Sequence, residues 1–170
     1  ETKCPKCGKK AVAICLHWKE KKPIKVMFCC NECNIKRGKE IEKLDIQKIN
    51  EAESQKPKWF PKVRLAYDGN KFREGTHLPE YDTIESLFTK RNLYALSLIF
   101  DCVKKIENKK LQNLFKFAFT SMVHLASKMC PVRSTRQFSS FWPVHRYWIP
   151  PVFMESNIWV ATITGLPARR

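Results

Sequence analysis

Two pairs of cysteines near the amino terminus have the spacing of metal ligands. Cys4 and Cys7 stand three positions apart and are followed by Gly8, and Cys30 and Cys33 repeat the spacing. Two thiolates at this spacing can bind one ion, and a glycine lets the backbone turn beneath the sulfurs. Four thiolates close a tetrahedral site that leaves no position for water. The pattern therefore predicts one structural Zn²⁺ ion and not a catalytic metal.

Two alternatives to this ligand set stay open. Cys29 could replace Cys30 in a wider second loop, although a strand position beside Phe28 favours a buried thiol. Disulfides or free thiols could replace the metal, but the paired spacing and the absence of a visible secretion signal favour zinc. We predict packing roles for Cys15, Cys102 and Cys130, and no ligand role for His17.

A later segment, residues 131–151, mixes arginines, hydroxyl groups and aromatic rings. Arginines and hydroxyls suit phosphates, and an exposed ring can stack on an unpaired base for roughly 1–3 kcal/mol. The rings could instead anchor the loop to the predicted helices, which we favour for Phe138, Phe141 and Trp148. The predicted nucleic-acid contacts are Arg133, Arg136, Ser139, Ser140, Trp142, His145, Arg146 and Tyr147.

No complete catalytic site is recognisable. His145 has no acid or nucleophile at a recognisable spacing, and the nearest thiol, Cys130, ends a predicted helix. The five glycines form no loop that could cradle a phosphate or a cofactor. We therefore predict no catalytic residues and no cofactor-binding residues in this chain.

The elements that must hold these residues predict an α+β fold. Residues 11–18 and 24–29 are rich in Val, Ile, Phe and Trp, which predicts a β-hairpin between the cysteine pairs. A short polar helix capped by Asp45 follows, and the run from Lys56 to Pro61 breaks regular structure. We predict a zinc-ribbon module over residues 1–56 and a linker over residues 57–86, which could include one strand at residues 63–67.

The remaining module, residues 87–170, is predicted to be mainly helical. Its first helix is capped by Thr89. Its second helix runs from residue 111 to about residue 129, and we expect the two to pack antiparallel. A short helix over residues 155–163 would cover them with Trp159 inward. The first apolar stripe consists of Leu93, Leu96, Ile99, Phe100, Val103 and Ile106, and the second of Leu111, Leu114, Phe115, Ala118, Met122, Leu125 and Ala126.

The charge balance is strongly basic. Thirty-two Lys and Arg residues stand against 16 Asp and Glu residues, for a formal net charge of +16. This field attracts polyanions, of which DNA and RNA are the commonest, although thermophilic lysine enrichment is an alternative cause. The apolar runs are too short for a bilayer and no secretion signal is visible, so we expect a cytoplasmic protein without a membrane partner. The missing initial Met indicates a piece of a longer protein or a processed chain.

Several runs resemble prokaryotic DNA methylases that contain a zinc ribbon. They are LFTKRNLYALS at 87–97, FAFTS at 117–121, ASKM at 126–129, FSSFWP at 138–143, YWIPP at 147–151 and ESNIW at 155–159. In that family the S-adenosylmethionine loop precedes the matched region and the Asp-Pro-Pro-Tyr catalytic loop follows it. The resemblance therefore implies an internal segment of a DNA amino-methyltransferase, of the kind found in restriction-modification, which methylates adenine or cytosine.

Three functions compete on these observations. A DNA-binding, target-recognition segment of the parent methyltransferase explains the charge, the ribbon and the resemblance together. A free-standing zinc-ribbon adaptor for RNA or protein would use the same basic surface, and a purely structural insert would contact no nucleic acid. The DNA contacts are inferred from charge and residue type, and the aromatic loop could instead pack against the parent's catalytic part.

Overall fold

An antiparallel sheet forms from the amino-terminal part of the chain and one distant strand. The computed structural model describes residues 1–64, 83–138 and 149–159. Its strands are β1 (Thr2–Lys3), β2 (Lys10–Lys19), β3 (Lys22–Cys30), β4 (Ile35–Glu40) and β5 (Val152–Ser156). They lie in the order β1-β2-β3-β4, and β5 pairs with β2. The predicted hairpin is confirmed as β2 and β3. We call the five strands together the ribbon sheet.

Three α-helices accompany the sheet in the described parts of the chain, which confirms the α+β class. They are α1 (Lys43–Glu53), α2 (Lys90–Lys104) and α3 (Lys109–Val123), and 3₁₀ turns occupy Glu85–Leu87 and His124–Ala126. Among the described residues, no helix has the length and apolar character needed to cross a membrane. Two of the helix starts follow from side-chain capping, since the Thr89 hydroxyl accepts from the Asn92 amide and the Asn108 side chain accepts from the Leu111 amide.

Helix α1 begins differently from the prediction. Its cap residue is Glu42, and Asp45 lies in the first turn, where its carboxylate accepts a hydrogen bond from the Glu42 amide at 3.2 Å. Asp45 also accepts from the Thr2 hydroxyl at 2.7 Å and lies 2.9 Å from Lys39 Nζ. Burial would raise the Asp45 pKa, but these bonds outweigh it and hold the pKa below its usual value. Asp45 thus joins β1, β4 and α1.

The two faces of the sheet have different coverings. One face packs against α1 through Leu16, Val26, Phe28 and Ile49. The opposite face forms a second cluster, in which Cys15, Met27 and Met154 of the sheet meet Cys130 and Phe138. Residues 130–138, which include the start of the predicted aromatic segment at residue 131, therefore lie across the ribbon sheet.

Helices α2 and α3 pack antiparallel, as predicted. Near their connecting turn, the Gln112 side chain donates to the Lys104 and Ile106 carbonyls at 2.9 and 3.0 Å. Farther along, the Phe100 and Phe119 rings lie 5.3 Å apart, and the Asn92 amide group donates to the Ala126 carbonyl at 2.9 Å. The last residues of α2 thus lie beside the first residues of α3, and the first residues of α2 lie near the end of α3.

The predicted inward stripe of α3 is wrong for its first four residues, from Leu111 to Ala118, which are all exposed. Leu111, Leu114 and Phe115 are 44%, 62% and 46% exposed, while Gln112 is buried and Phe119 is partly buried. The hydrogen bonds of Gln112 and the contact between Phe119 and Phe100 turn those two residues toward α2, so the predicted stripe faces solvent. The helix also ends at Val123, before the predicted residue 129.

The carboxyl-terminal prediction is wrong in its first residues. Glu155 and Ser156 close β5, and helical backbone begins only at Ile158. Trp159 is 49% exposed, whereas Ile158 is 2% exposed and packs with the helices. The predicted continuation to residue 163 lies outside the described residues, as do residues 65–67 of the optional linker strand.

Glu155 joins the sheet to α2. Its buried carboxylate accepts from Trp18 Nε1 at 2.6 Å, from the Thr89 hydroxyl at 2.5 Å and from both Nε and a terminal nitrogen of Arg91. A carboxylate buried this deeply needs such partners, because its desolvation costs several kcal/mol. Residues beyond 87 therefore complete the ribbon sheet, and the division after residues 56 and 86 stays a prediction.

Candidate metal centre

Two tight turns bring the four predicted ligands together. The first turn lies between β1 and β2 and carries Cys4 and Cys7, and the second lies between β3 and β4 and carries Cys33. Cys30 is the last residue of β3. Because β2 and β3 are hydrogen-bonded neighbours, both turns lie at the same end of the sheet.

Each turn places the residue after its second cysteine in the left-handed region. Gly8 has φ +70° and Asn34 has φ 48°. The Gly8 amide donates to the Cys4 carbonyl at 2.8 Å, and the Asn34 amide donates to the Asn31 carbonyl at 3.2 Å. Glycine and asparagine tolerate this backbone conformation best. Sequence reasoning used Gly8 but missed Asn34, although its place directly after Cys33 is the available signal.

The four sulfurs form a compact group. Cys4 Sγ lies 4.0 Å from Cys33 Sγ, Cys7 Sγ lies 3.8 Å from Cys30 Sγ, and all four atoms lie within 4.8 Å of one another. Four thiolates at the usual zinc distance of ~2.3 Å form a tetrahedron whose edges are ~3.8 Å. A disulfide requires ~2.05 Å, and all eight cysteines are free. The geometry fits four ligands around one ion and could hold a metal.

The electrostatics of the group favour a cation at its centre. Burial raises the pKa of Cys4, but hydrogen bonds from the Cys7 and Lys6 amides outweigh it and lower the pKa to about 7. Hydrogen bonding with the Cys7 sulfur and burial raise the pKa of Cys33 to about 12. Four neighbouring thiols cannot all ionise by themselves, because like charges repel. A divalent ion would supply the compensating charge.

The structure distinguishes between Cys29 and Cys30. Cys30 is fully buried within the sulfur group, whereas Cys29 is half-buried and points its sulfur to the Asn31 side chain at 3.8 Å. The ligand set with Cys30 is therefore the one that the fold assembles. In residues 1–64, 83–138 and 149–159, no second group of three His, Cys, Asp or Glu side chains is placed for metal binding.

The other cysteines, for which packing roles were predicted, differ in their burial. Cys15 and Cys130 are buried in the cluster beneath residues 130–138, and burial raises the pKa of Cys15 to about 12. Cys102 is exposed, so its predicted packing role is wrong. His17 is buried outside the sulfur group with Nε2 2.8 Å from the Gln137 carbonyl, and burial lowers its pKa. Its contact is structural.

Two of the predicted nucleic-acid contacts fall within the described residues. Arg133 and Arg136 are exposed and pair across a tight turn, in which the Arg136 amide donates to the Arg133 carbonyl at 3.0 Å. The turn belongs to the segment that covers the sheet. The other six predicted contacts lie outside the described residues and stay predictions: Ser139, Ser140, Trp142, His145, Arg146 and Tyr147.

Phe138 anchors this segment, but to the ribbon and not to the helices as predicted. Its ring packs against the cluster around Met27, and Lys36 Nζ lies 4.8 Å from the ring centroid. The neighbouring Gln137 carbonyl contacts both His17 and the Cys15 thiol. Side chains of β2 thus contact the backbone directly after the Arg133–Arg136 turn. Phe141 and Trp148, for which an anchoring role was also predicted, lie outside the described residues.

A cavity of about 330 Å³ lies on the other face of the sheet, between α1 and α2. Its apolar lining includes Leu16, Val26 and Ile49. Its main charged groups, Asp45, Arg91 and Glu155, already pair with neighbours, so they stabilise the fold. Sequence reasoning missed the role of Glu155, because its partners lie far away along the chain.

Comparisons with known proteins identify no relative. Neither protein-family models, nor curated proteins, nor solved structures give a match to this chain.

Proposed function

We propose that this chain is the DNA-binding, target-recognition segment of an S-adenosylmethionine-dependent DNA amino-methyltransferase, with a structural zinc ion in its four-cysteine site. The observation that supports this proposal most is the packing of residues 130–138 on the ribbon sheet. The Arg133–Arg136 turn is exposed there, on a framework that the metal would stabilise.

Zinc would support the proposed DNA contacts through the sheet. It would hold the turns at one end of β2 and β3, and the same strands carry Cys15, His17 and Met27, which support the covering segment. Four sulfur ligands at tetrahedral spacing suit zinc, and their closed arrangement leaves no open position for substrate. The ion would therefore stabilise the binding surface without taking part in methyl transfer.

The charge of the chain supports DNA as the partner. A surplus of sixteen positive charges creates a field that attracts phosphates. Arginines on a supported turn can position the duplex through its backbone, which fixes orientation before any base is contacted. The parent's other parts would supply S-adenosylmethionine binding and the catalytic loop, in the cytoplasm, and would act on a base that has left the duplex.

One observation is relevant to the structural-insert alternative. On α3, four large apolar side chains are exposed: Leu111, Leu114, Phe115 and Phe117. Patches of this kind commonly mark contacts with another protein region. A contact between this face of α3 and the parent enzyme could exist with or without DNA binding by the ribbon. The exposed face therefore does not distinguish the two functions, and a measurement of DNA binding is needed.

The test is the salt dependence of DNA affinity. The zinc-loaded chain should bind a labelled duplex with log affinity falling by about 0.9 per neutralised phosphate for each unit of log salt. Replacing Arg133 and Arg136 together with Ala should reduce this slope by about 1.8, and adding Arg146→Ala should reduce it further. Fluorescence anisotropy at several salt concentrations measures both quantities.

A matched control removes two positive charges elsewhere. Lys3 and Lys43 are exposed at β1 and at the start of α1, and their double Ala variant should leave the slope nearly unchanged. An unchanged slope in the arginine variant would remove the turn from the DNA surface. Weak association without salt dependence in the wild-type chain would contradict DNA binding and favour the structural insert.

A further inference from the structure

An aromatic row crosses the helix pair. The Trp59 and Phe100 rings stack with centroids 5.4 Å apart and an interplanar angle of 26°, and Phe100 meets Phe119 at 5.3 Å. We call these three residues the Trp59 platform. Trp59 ends the row and is 53% exposed, although tryptophan is usually well buried.

The segment that carries Trp59 is fastened to α2. The Lys58 amide donates to the Ser97 hydroxyl at 3.1 Å, and Lys58 Nζ donates to Asp101 at 3.1 Å. Ser97 is buried, so this attachment point is part of the folded helix surface. The hydrogen bonds of Lys58 and the stacking on Phe100 therefore hold the indole against α2. Because the ring is already ordered, little conformational entropy would be lost when a ligand stacks on it.

One lysine lies beside the exposed ring, and two more share a carboxylate with it. Lys104 Nζ lies 5.9 Å from the Trp59 centroid and 5.5 Å from the Phe100 centroid. Lys58 and Lys105 contact Asp101 at 3.1 and 3.0 Å, and their side chains remain 54% and 70% exposed. Hydrogen bonds from Lys105 and Lys58 lower the pKa of Asp101, so it stays ionised at neutral pH. One carboxylate among three lysines orients them and leaves a surplus of positive charge.

We infer that the Trp59 platform binds an unpaired strand of DNA. A flat exposed ring offers a stacking surface for any base, and neighbouring lysines can meet the phosphates on either side of it. A second copy of the chain would bring the same lysines and be repelled. An apolar protein segment would gain little from the exposed lysines, so charge complementarity favours the nucleic acid.

The inference rests on the proposed function, which it deepens. A base that leaves the duplex for methylation creates unpaired nucleotides on one strand or the other. The Arg133–Arg136 turn would hold duplex phosphates, and the Trp59 platform would take an unpaired neighbour. The two surfaces therefore have separate ligands, and each can be lost without the other.

The experiment measures binding of a fluorescein-labelled oligothymidine strand by anisotropy, with the zinc-loaded chain. Trp59→Ala should weaken binding roughly 5- to 150-fold, the range that corresponds to ~1–3 kcal/mol for one stacked base. Trp59→Phe should retain most of the affinity, because it keeps a ring. Lys104→Gln should lower the salt slope by about 0.7. Phe117→Ala, which removes an exposed ring from α3, is the matched control and should bind like wild type.

Two outcomes would overturn this inference while leaving the proposed function in place. Trp59→Ala could bind the strand like wild type, while the arginine variant still loses duplex binding. A polyglutamate peptide could bind with dependence on Trp59 while the strand does not, which would make the platform a protein-docking surface. Failure of the proposed function would differ, since neither duplex nor strand would then show salt-dependent binding. The helical circular dichroism of each variant checks that it is folded.

Discussion

The ribbon sheet and the helix pair are stabilised by different kinds of contact. In the ribbon, four sulfurs converge within 4.8 Å, and both faces of the sheet are covered by other parts of the chain. In the helix pair, α2 buries Ala95, Leu96 and Val103, whereas α3 leaves much of its apolar face exposed. The ribbon sheet is thus covered by other parts of the same chain, whereas the helix pair leaves apolar and basic side chains exposed to solvent.

This difference indicates how the two regions divide their work. A metal can stabilise a small sheet whose core is too small to be stable alone, and the proposed zinc would do so for the ribbon. The helix pair has its own apolar cluster, and its exposed face remains available for contacts outside the chain. Glu155 and Ile149, which contact both regions, form the joint between them.

The largest expected effect comes from removing one metal ligand. Cys7→Ser should abolish tight zinc binding and unfold the ribbon, because structural zinc contributes on the order of 10–16 kcal/mol in small domains. Most of the helical circular dichroism should persist, since α2 and α3 pack on each other. Cys102→Ser, which replaces an exposed thiol of α2, is the control and should change neither signal. Loss of the helical signal together with the metal would show that the two regions fold as one unit.

The next largest effect concerns the joint. Glu155→Ala should lower the free energy of unfolding by roughly 3–5 kcal/mol, because it leaves the buried groups of Trp18 and Thr89 and the partly buried Arg91 without their acceptor. Glu40→Ala removes an exposed carboxylate and should stay within about 0.5 kcal/mol of wild type. Urea unfolding of the zinc-loaded chain measures both. A loss below about 1 kcal/mol in Glu155→Ala would show that the joint contributes little to stability.

The smallest effect lies within the second metal-ligand turn. Asn34→Ala should cost about 1 kcal/mol because alanine tolerates the left-handed region poorly, whereas Asn34→Gly should be neutral or slightly stabilising. Asn113→Ala, on an exposed position of α3, should not destabilise the chain. Urea midpoints at one fixed concentration of free zinc give the comparison. Equal stability of the Ala and Gly variants would contradict a turn that requires positive φ.

The parts of the fold that sequence predicted well depend on local chemistry. Each cysteine pair and its turn occupy a few consecutive residues, so their spacing was sufficient to predict the four-cysteine group. The predicted helix cap at Thr89 is equally local, because its hydroxyl bonds an amide three residues away. The β2–β3 hairpin needed only its composition and the distance between the cysteine pairs.

The parts that were missed depend on distant contacts. Glu155 meets Trp18 across most of the chain, and no neighbouring residue signals that its segment adds β5 to β2. The stripe on α3 predicts that an apolar face exists, but it does not say which neighbour covers it. The helix consequently presents Leu114 to solvent although the periodicity was interpreted as core.

The most direct test of this account is the zinc content of two adjacent cysteine variants. Native mass spectrometry should find one zinc ion in the wild-type chain and in Cys29→Ser, and none firmly held in Cys30→Ser. That result follows if Cys4, Cys7, Cys30 and Cys33 are the ligands, because only Cys30 lies in the sulfur group. A wild-type chain without zinc, or a Cys29→Ser variant that loses it while Cys30→Ser retains it, would contradict the proposed metal centre.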